Sequence, residues 1–176
     1  TGGILGAFAI IDLNKSSFSV ARTGSNSVLK WLKDVPVKVP DEFTKLYGKN
    51  PAIFQNSNLS PHFPYGAEIW MGIWKAQFDE QLDGVIAVDP SALSYVLKAT
   101  GPITLESGEV ITSENVVSET LQKAYKRYEK DNKARKQYLV DIMDVAASKI
   151  VSGQYSKLEM VRAIRQGLIE NRILMY

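Results

Sequence analysis

The sequence contains no cysteine and only one histidine, His62. Without cysteine the chain forms neither a disulfide framework nor a thiolate metal site, which fits the cytoplasm and equally a bacterial exterior that uses few disulfides. A single histidine excludes a metal site built from several histidines. No apolar run approaches the roughly 20 residues that cross a bilayer. Neither a GxGxxG motif nor a P-loop is present, so the common nucleotide-binding signatures are also excluded.

What is present is the composition of a globular protein. The 176 residues are 45% hydrophobic and 23% charged, which is enough for one domain with a substantial core. The net charge of +2 is too small to indicate nucleic-acid binding. Because the chain opens on Thr1-Gly2-Gly3 without a methionine, we expect it to be an excised segment of a longer protein.

The most informative stretch runs from Asp83 to Leu105. Its apolar run, residues 85–88, is typical of a strand buried on both faces. Asp89-Pro90 then predicts the start of a helix, with the aspartate as cap and the proline at the first helical position. Gly101-Pro102 stops that helix, and an extended segment follows. This strand–helix–strand order indicates an α/β domain.

The remaining elements complete the predicted order. Residues 4–13 and 18–20 are predicted to form a hairpin whose first strand is central in a sheet. Residues 23–64 form a loop-rich insert, with short helical segments at Val28–Leu32 and Asp41–Tyr47. A helix over about 66–80 follows, and its wide apolar face indicates core packing. That face contains Ile69, Trp70, Ile73, Trp74 and Phe78.

The C-terminal half predicts three helices and a last strand. The first begins at Ser113, is interrupted at Asp131-Asn132, and carries apolar residues at core spacing, namely Val117, Leu121, Ala124 and Tyr128. A second helix runs over about 133–151, Ser156 caps a third, and residues 172–176 read as a strand. The sequence therefore predicts one α/β domain over residues 1–176, with a single mixed sheet flanked by helices.

Four segments resemble an uncharacterised bacterial family, DUF4012. They match its glycine-rich opening strand, its "N-N-SPDFP" loop, its "DGVIAVDP…L…TGP" segment and its C-terminal "RHLLLYS" strand. His62 stands where the family's loop usually has aspartate. The matching segments are residues 2–8, 56–64, 83–102 and 169–176.

A second resemblance is to the LytR-CpsA-Psr proteins. Residues 83–102 resemble their "DYYVAVDFKGFVELVDALGGV" segment, residues 20–23 their "IPRDT", and residues 124–137 their "ALAYVR-R…D-GR--RQ" helix. Those proteins are membrane-anchored phosphotransferases that move polyprenyl-pyrophosphate-linked glycopolymers onto peptidoglycan. The resemblance implies the same fold, an extracytoplasmic location at the cell surface, and an anchor upstream of this chain. The implied partner is a polyprenyl-phosphate lipid or a cell-wall glycan, and not a nucleic acid.

The resemblance also concerns the cofactor. In the LytR-CpsA-Psr proteins an early aspartate binds Mg²⁺, and here that position falls at Gly2 or Gly3. The aspartate of "PRDT" is absent as well, because Thr23 follows Arg22 directly. The resemblance implies Mg²⁺, but the expected aspartate ligand is missing, so no metal ligand is assigned.

Guanidinium groups match phosphate oxygens in a bidentate way, and a pyrophosphate requires several of them. The predicted phosphate-binding residues are Arg22, Arg127, Arg135, Asn56 and Asn58. If the chain is catalytic, Arg127 and Asp131 are the candidates, with the aspartate orienting an arginine or binding metal. Lys126, Lys130, Lys133 and Lys136 add positive potential. The alternatives are that the basic residues form a solvated helix face and that the asparagines shape a turn.

Three functions stay open from the sequence. The first is a phosphotransferase of the LytR-CpsA-Psr type that acts on a lipid-linked glycopolymer. The second is a non-catalytic module of the same fold that binds a polyprenyl-phosphate lipid or a wall glycan. The third is a surface scaffold without a small ligand. Convergence of Arg22, Arg127 and Arg135 on one pocket would favour the first two.

Overall fold

A computed structural model describes residues 4–14 and 17–176. These residues have a mixed α/β structure in which helix predominates. The strands are β1 (Ala7–Asn14), β2 (Ser17–Ser25), β3 (Ile86–Val88), β4 (Ile103–Thr104), β5 (Val110–Ile111) and β6 (Ile173–Met175). The helices are α1 (Asp41–Tyr47), α2 (Phe63–Phe78), α3 (Pro90–Thr100), α4 (Val116–Ser118), α5 (Ala124–Arg127), α6 (Asn132–Val151) and α7 (Lys157–Ile169). A π-helical turn, Glu119–Lys123, joins α4 to α5.

The strands of the described chain form three separate two-stranded antiparallel sheets. They pair β1 with β2, β3 with β6, and β4 with β5. The predicted single mixed sheet is therefore wrong, and so is the central position expected for the first strand. Helix α6 packs against both strands of the β1–β2 hairpin. The neighbour of this hairpin is therefore a helix and not a third strand.

The stretch from Asp83 to Leu105 forms the predicted order of β3, α3 and β4. Asp89 caps α3, since its Oδ1 accepts a hydrogen bond of 2.9 Å from the Ala92 backbone N–H. Gly101 ends the helix at a φ of 77°, which favours glycine. The strand itself is not buried on both faces, because Ile86 is 51% exposed and Val88 is 56% exposed. Its antiparallel partner β6 lies far away in the sequence, so the local apolar run could not reveal this exposure.

The chain divides into two compact units. One unit contains residues 26–87 and 174–176 together with the described residues before Gly6, and the other contains residues 6–25 and 88–173. The single domain inside a longer, membrane-anchored protein stays a prediction. Gly2 and Gly3, and the turn residues Lys15 and Ser16, lie outside the described residues.

The first unit is built around α2. Ile69, Ile73 and Trp74 are at most 1% exposed, which confirms the core role predicted for them, whereas Phe78 of the same predicted face is 39% exposed. The indole Nε1 of Trp74 donates to Glu80 Oε2 at 3.0 Å, and its ring centroid lies 4.3 Å from that of Phe78. In the loop-rich insert the Phe54 ring centroid lies 4.6 Å from that of Trp70 on this helix, and α1 forms over the residues predicted for it. The helical segment predicted at Val28–Leu32 is wrong, because the only helical turn that the structure describes there is Asn26–Val28.

The core of the second unit joins α3, α6 and the β4–β5 hairpin. Its buried residues are Leu97, Ile103, Leu105, Ile111, Val116, Ala124, Tyr138, Ile142 and Ala146. Leu121, predicted to be part of the core, is instead 56% exposed. The π-helical turn explains this difference, because it adds residues to a turn and rotates the following side chains out of the α-helical phase.

Candidate functional site

Arg127 lies at the centre of a charged cluster in the second unit. Its Nη1 donates to Glu109 Oε2 at 2.7 Å, and its Nη2 donates to Glu109 Oε1 at 3.1 Å. The same Nη2 lies 3.4 Å from Glu119 Oε2. The Glu119 side chain is only 7% exposed, whereas that of Arg127 is 40% exposed. The guanidinium is therefore held in a bidentate pair at the surface and also partners a buried carboxylate.

Tyrosine rings and a lysine complete this cluster. The Arg127 guanidinium carbon lies 5.2 Å from the ring centroid of Tyr138 and 5.9 Å from that of Tyr128, within the range of cation–π attraction. The Tyr138 hydroxyl donates to Glu109 Oε1 at 3.0 Å. Lys123 Nζ binds Glu119 Oε1 at 2.7 Å. Both carboxylates are thus paired, and the orientation of Arg127 is determined by contacts from several elements.

Two irregular backbone features bring the carboxylates to Arg127. Glu109 follows the tight turn between β4 and β5, where Gly108 has a φ of 84°. Glu119 opens the π-helical turn, and the adjacent Thr120 hydroxyl donates to the Val116 carbonyl at 2.7 Å. Because π-helical turns are rare and recur at functional sites, this turn singles out the cluster within the unit.

The cluster changes the acidity of its members. The hydrogen bond from Arg127 is the main cause that lowers the pKa of Glu109, and the hydrogen bond from Tyr138 lowers it further. Burial is the main cause that raises the pKa of Tyr138, and the hydrogen bond to Glu109 adds to it. The pairing with Glu109 raises the pKa of Arg127. Glu109 is therefore ionised, and Tyr138 and Arg127 are protonated, at neutral pH.

Replacing Glu109 with glutamine is expected to lower the free energy of unfolding by about 1 kcal/mol at pH 7. Because the pKa of Glu109 is lowered in the folded chain, its stabilising effect is complete above the unfolded pKa of about 4.3 and is lost as the pH falls through the folded pKa. The difference between wild type and variant in urea unfolding should therefore shrink from pH 5 to pH 3. Exposed Glu106 is the control, and an equal effect of Glu106→Gln would contradict the assignment.

Arg135 lies on the first turns of α6, close to this cluster. Its guanidinium carbon is 4.1 Å from the ring centroid of Tyr125, and its Nη2 donates to Asn132 Oδ1 at 2.5 Å. Arg135 and Tyr138 are three residues apart on α6 and are therefore neighbours on the helix surface. Arg135 of α6 contacts Tyr125 of α5, and Arg127 of α5 contacts Tyr138 of α6, so two of the three predicted arginines link the same two helices.

Asp131 serves as the N-cap of α6. Its Oδ1 accepts a hydrogen bond of 2.9 Å from the Ala134 backbone N–H, which satisfies one of the free donors at a helix start. This contact accounts for the aspartate at this position without any catalytic role. The catalytic roles of Arg127 and Asp131 stay predictions.

The other predicted residues are spread over the two units. Arg22 lies on β2 opposite Ile10, next to a β-bulge, and belongs to the same unit as Arg127. Asn56 and Asn58 belong to the other unit. There, buried Ser57 donates its hydroxyl hydrogen to the Phe54 carbonyl at 2.9 Å and holds the turn before α2. Phosphate binding by Arg22, Asn56 and Asn58 stays a prediction.

The described residues contain neither a cluster of metal ligands nor a membrane-spanning helix. No group of three or more His, Asp or Glu residues is arranged to hold a metal ion in the part of the chain that the structure describes. Over residues 4–14 and 17–176, no helix is both long enough and apolar enough to cross a membrane.

The sequence did not predict the partners of Arg127 as site residues, namely Glu109, Glu119, Lys123, Tyr128 and Tyr138. Only one local signal was available, because Glu119 and Lys123 stand four residues apart, the spacing of a helical ion pair. The bond between Arg127 and Glu109 spans 18 positions, and no local pattern predicts such a contact.

Comparison with known proteins gives one match. The DUF4012 model, described as a protein of unknown function, matches residues 1–125, which confirms the closer of the two resemblances over that range. No curated protein matches the chain, and no solved structure matches it. None of these comparisons supports the resemblance to the LytR-CpsA-Psr proteins, which stays a prediction.

Proposed function

The chain belongs to the DUF4012 family, and from this premise we propose that it binds the phosphate of a polyprenyl-linked glycopolymer at the bacterial cell envelope. In this proposal the chain binds the lipid-linked phosphate but does not transfer it. Both candidate catalytic side chains are already engaged in structural contacts, Arg127 with two carboxylates and Asp131 with the start of α6. This favours the non-catalytic hypothesis.

The observation that carries the proposal is the pair of positioned arginines. Arg135 is stacked on Tyr125, and Arg127 is oriented by Glu109 and Tyr138. A guanidinium that is already ordered loses less side-chain entropy when it binds a phosphate. Two such groups on the packed helices α5 and α6 suit a phosphate or pyrophosphate better than flexible lysines would.

The two arginines have different proposed roles. Both terminal nitrogens of Arg127 bind Glu109, so this residue positions the cluster and does not lead in ligand contact. The Arg135 guanidinium donates one hydrogen bond to Asn132, and a guanidinium has five N–H donors. Arg135 is therefore the proposed direct phosphate contact. Arg22 of the same unit is proposed as an additional one.

The lipid and the envelope location are supported by the resemblance of residues 20–23, 83–102 and 124–137 to the LytR-CpsA-Psr proteins. That resemblance also supports an extracytoplasmic location and a membrane anchor outside this chain. Asn56 and Asn58 belong to the other unit and are not part of the proposed phosphate site at Arg135. They stand in a turn before α2, where Asn side chains also serve the backbone.

The proposal is tested by calorimetric titration with farnesyl phosphate, a short soluble polyprenyl phosphate. Arg135→Ala is expected to raise the Kd at least tenfold, because a charge-assisted bidentate contact is lost. Arg135→Lys should give an intermediate Kd, since it keeps the charge but not the planar donors. The control is Arg162→Ala, whose side chain is 65% exposed and pairs with a carboxylate on α7.

Two results would overturn this function. Equal binding of farnesol and farnesyl phosphate would show that the phosphate is not recognised. Release of inorganic phosphate from the lipid in the presence of Mg²⁺ would show catalysis, and the binding-only function would then be wrong. An unchanged Kd in the Arg135→Ala variant would remove the assigned contact.

A further inference from the structure

A second surface of the same unit has an excess of positive charge. Between positions 126 and 136 the chain has six basic and two acidic residues. Lys126, Lys130 and Lys133 are exposed, and Lys136 is half-buried. Among the described residues, none of these four lysines forms an ion pair with a carboxylate. Because Glu109 and Glu119 neutralise Arg127, the lysines supply most of the free positive charge.

Two large apolar side chains lie beside these lysines. Leu121 is 56% exposed and Tyr125 is 50% exposed. They stand four residues apart on one helical segment, which is about one turn where the π-helical turn ends, so they lie close together on its surface. Arg135 contacts the Tyr125 ring, so the first two turns of α6, which contain Lys133 and Lys136, lie near Tyr125. The six residues Leu121, Tyr125, Lys126, Lys130, Lys133 and Lys136 are called the basic–apolar face below.

We propose that the basic–apolar face docks on the surface of an anionic lipid bilayer. The four lysines lie at the end of α5, in the turn that follows it and at the start of α6. Their positive charge matches the negative potential of anionic headgroups, and that attraction is screened by salt. Leu121 and Tyr125 insert at the level of the headgroups, where leucine and the amphipathic tyrosine ring are favoured. A soluble polyanion would require the charges but would leave the two apolar side chains exposed to water. The combination therefore favours a membrane.

This inference is separate from the proposed function. It requires neither Arg135 as a ligand contact nor a polyprenyl phosphate, and its test uses vesicles that contain none. Failure of the farnesyl phosphate titration would leave the membrane surface unaffected. A chain that binds farnesyl phosphate but no vesicle would retain the proposed function and lose this inference.

The experiment is co-sedimentation of the chain with vesicles of equal parts phosphatidylglycerol and phosphatidylcholine, compared with phosphatidylcholine alone. The wild type is expected to bind only the anionic vesicles. Lys130→Gln/Lys133→Gln is expected to lower the partition coefficient about 10- to 30-fold, and Leu121→Ser severalfold at physiological salt. The control Lys38→Gln/Lys45→Gln makes the same change in net charge at exposed lysines of the other unit.

Three outcomes would overturn the inference. The first is a wild-type chain that is folded by circular dichroism but does not bind anionic vesicles. The second is an equal loss with the control pair, which would show an effect of net charge only. The third is a loss of vesicle binding in the lysine variant but not in Leu121→Ser, together with displacement of the chain from vesicles by soluble polyphosphate. That result would indicate a soluble polyanion as the partner.

Discussion

Replacing Trp74 with alanine is expected to lower the free energy of unfolding by about 3–5 kcal/mol. The side chain is fully buried at 0% exposure, and its removal leaves a large cavity in the core around α2. The variant also loses the ring contact with Phe78 and leaves Glu80 without its indole donor. Urea unfolding followed by far-UV circular dichroism measures the loss without depending on tryptophan fluorescence.

Trp31 provides a matched control for this experiment. It is 69% exposed and lies in the same unit as Trp74. Trp31→Ala is expected to change the free energy of unfolding by less than about 0.5 kcal/mol. A loss of similar size in the two variants would contradict the assignment of Trp74 to the core and of Trp31 to the surface.

Replacing Arg127 with alanine is expected to lower the free energy of unfolding by about 2–3 kcal/mol at pH 7. The variant leaves the nearly buried Glu119 carboxylate with Lys123 as its charged partner. It also removes the bidentate pair with Glu109 and the contact with the Tyr138 ring. Chemical unfolding at pH 7 measures this effect.

Arg162 again serves as the control, because it forms an exposed ion pair three residues away on α7. Arg162→Ala is expected to cost less than about 0.5 kcal/mol. If Arg127→Ala were equally mild, the cluster around Arg127 would be a solvated surface ion pair, and the proposed role of Arg127 in positioning the cluster would be wrong.

The helices were predictable because their signals are local. Asp89 before Pro90 and Gly101 at the other end delimit α3, and Ser156 caps α7 through the Glu159 backbone N–H. These residues act within one turn of their own position. The apolar spacing of α2 likewise predicted its buried face, because helical periodicity follows directly from sequence.

The strands show what local patterns leave undetermined. An apolar run such as residues 85–88 indicates an extended segment, but it contains no information about the number of neighbours. β3 pairs with β6, near the other end of the chain, and that choice depends on how the intervening elements pack. A similar limit applies to Leu121, whose exposure follows from a π-helical turn that periodicity does not reveal.

The candidate site divides in the same way. Residue type and motif are enough to indicate Arg127, Arg135 and Asp131 as candidate site residues. Their partners were not, since Glu109 reaches Arg127 from a different hairpin and Tyr138 from a different helix. Ionic partners at long sequence separation are selected by tertiary packing, and only coordinates identify them.

The sequence by itself determined the absence of a disulfide framework, the caps of α3 and α7 and the basic segment around Arg135. These features depend on composition and on contacts within a few residues. Only the tertiary structure decided that the described strands form three separate pairs and that Arg127 forms ion pairs with two carboxylates. It also decided that the Leu121 and Tyr125 side chains are exposed. Each of these depends on which distant segments pack together, because strand pairing, ion pairing and burial are properties of the whole folded chain.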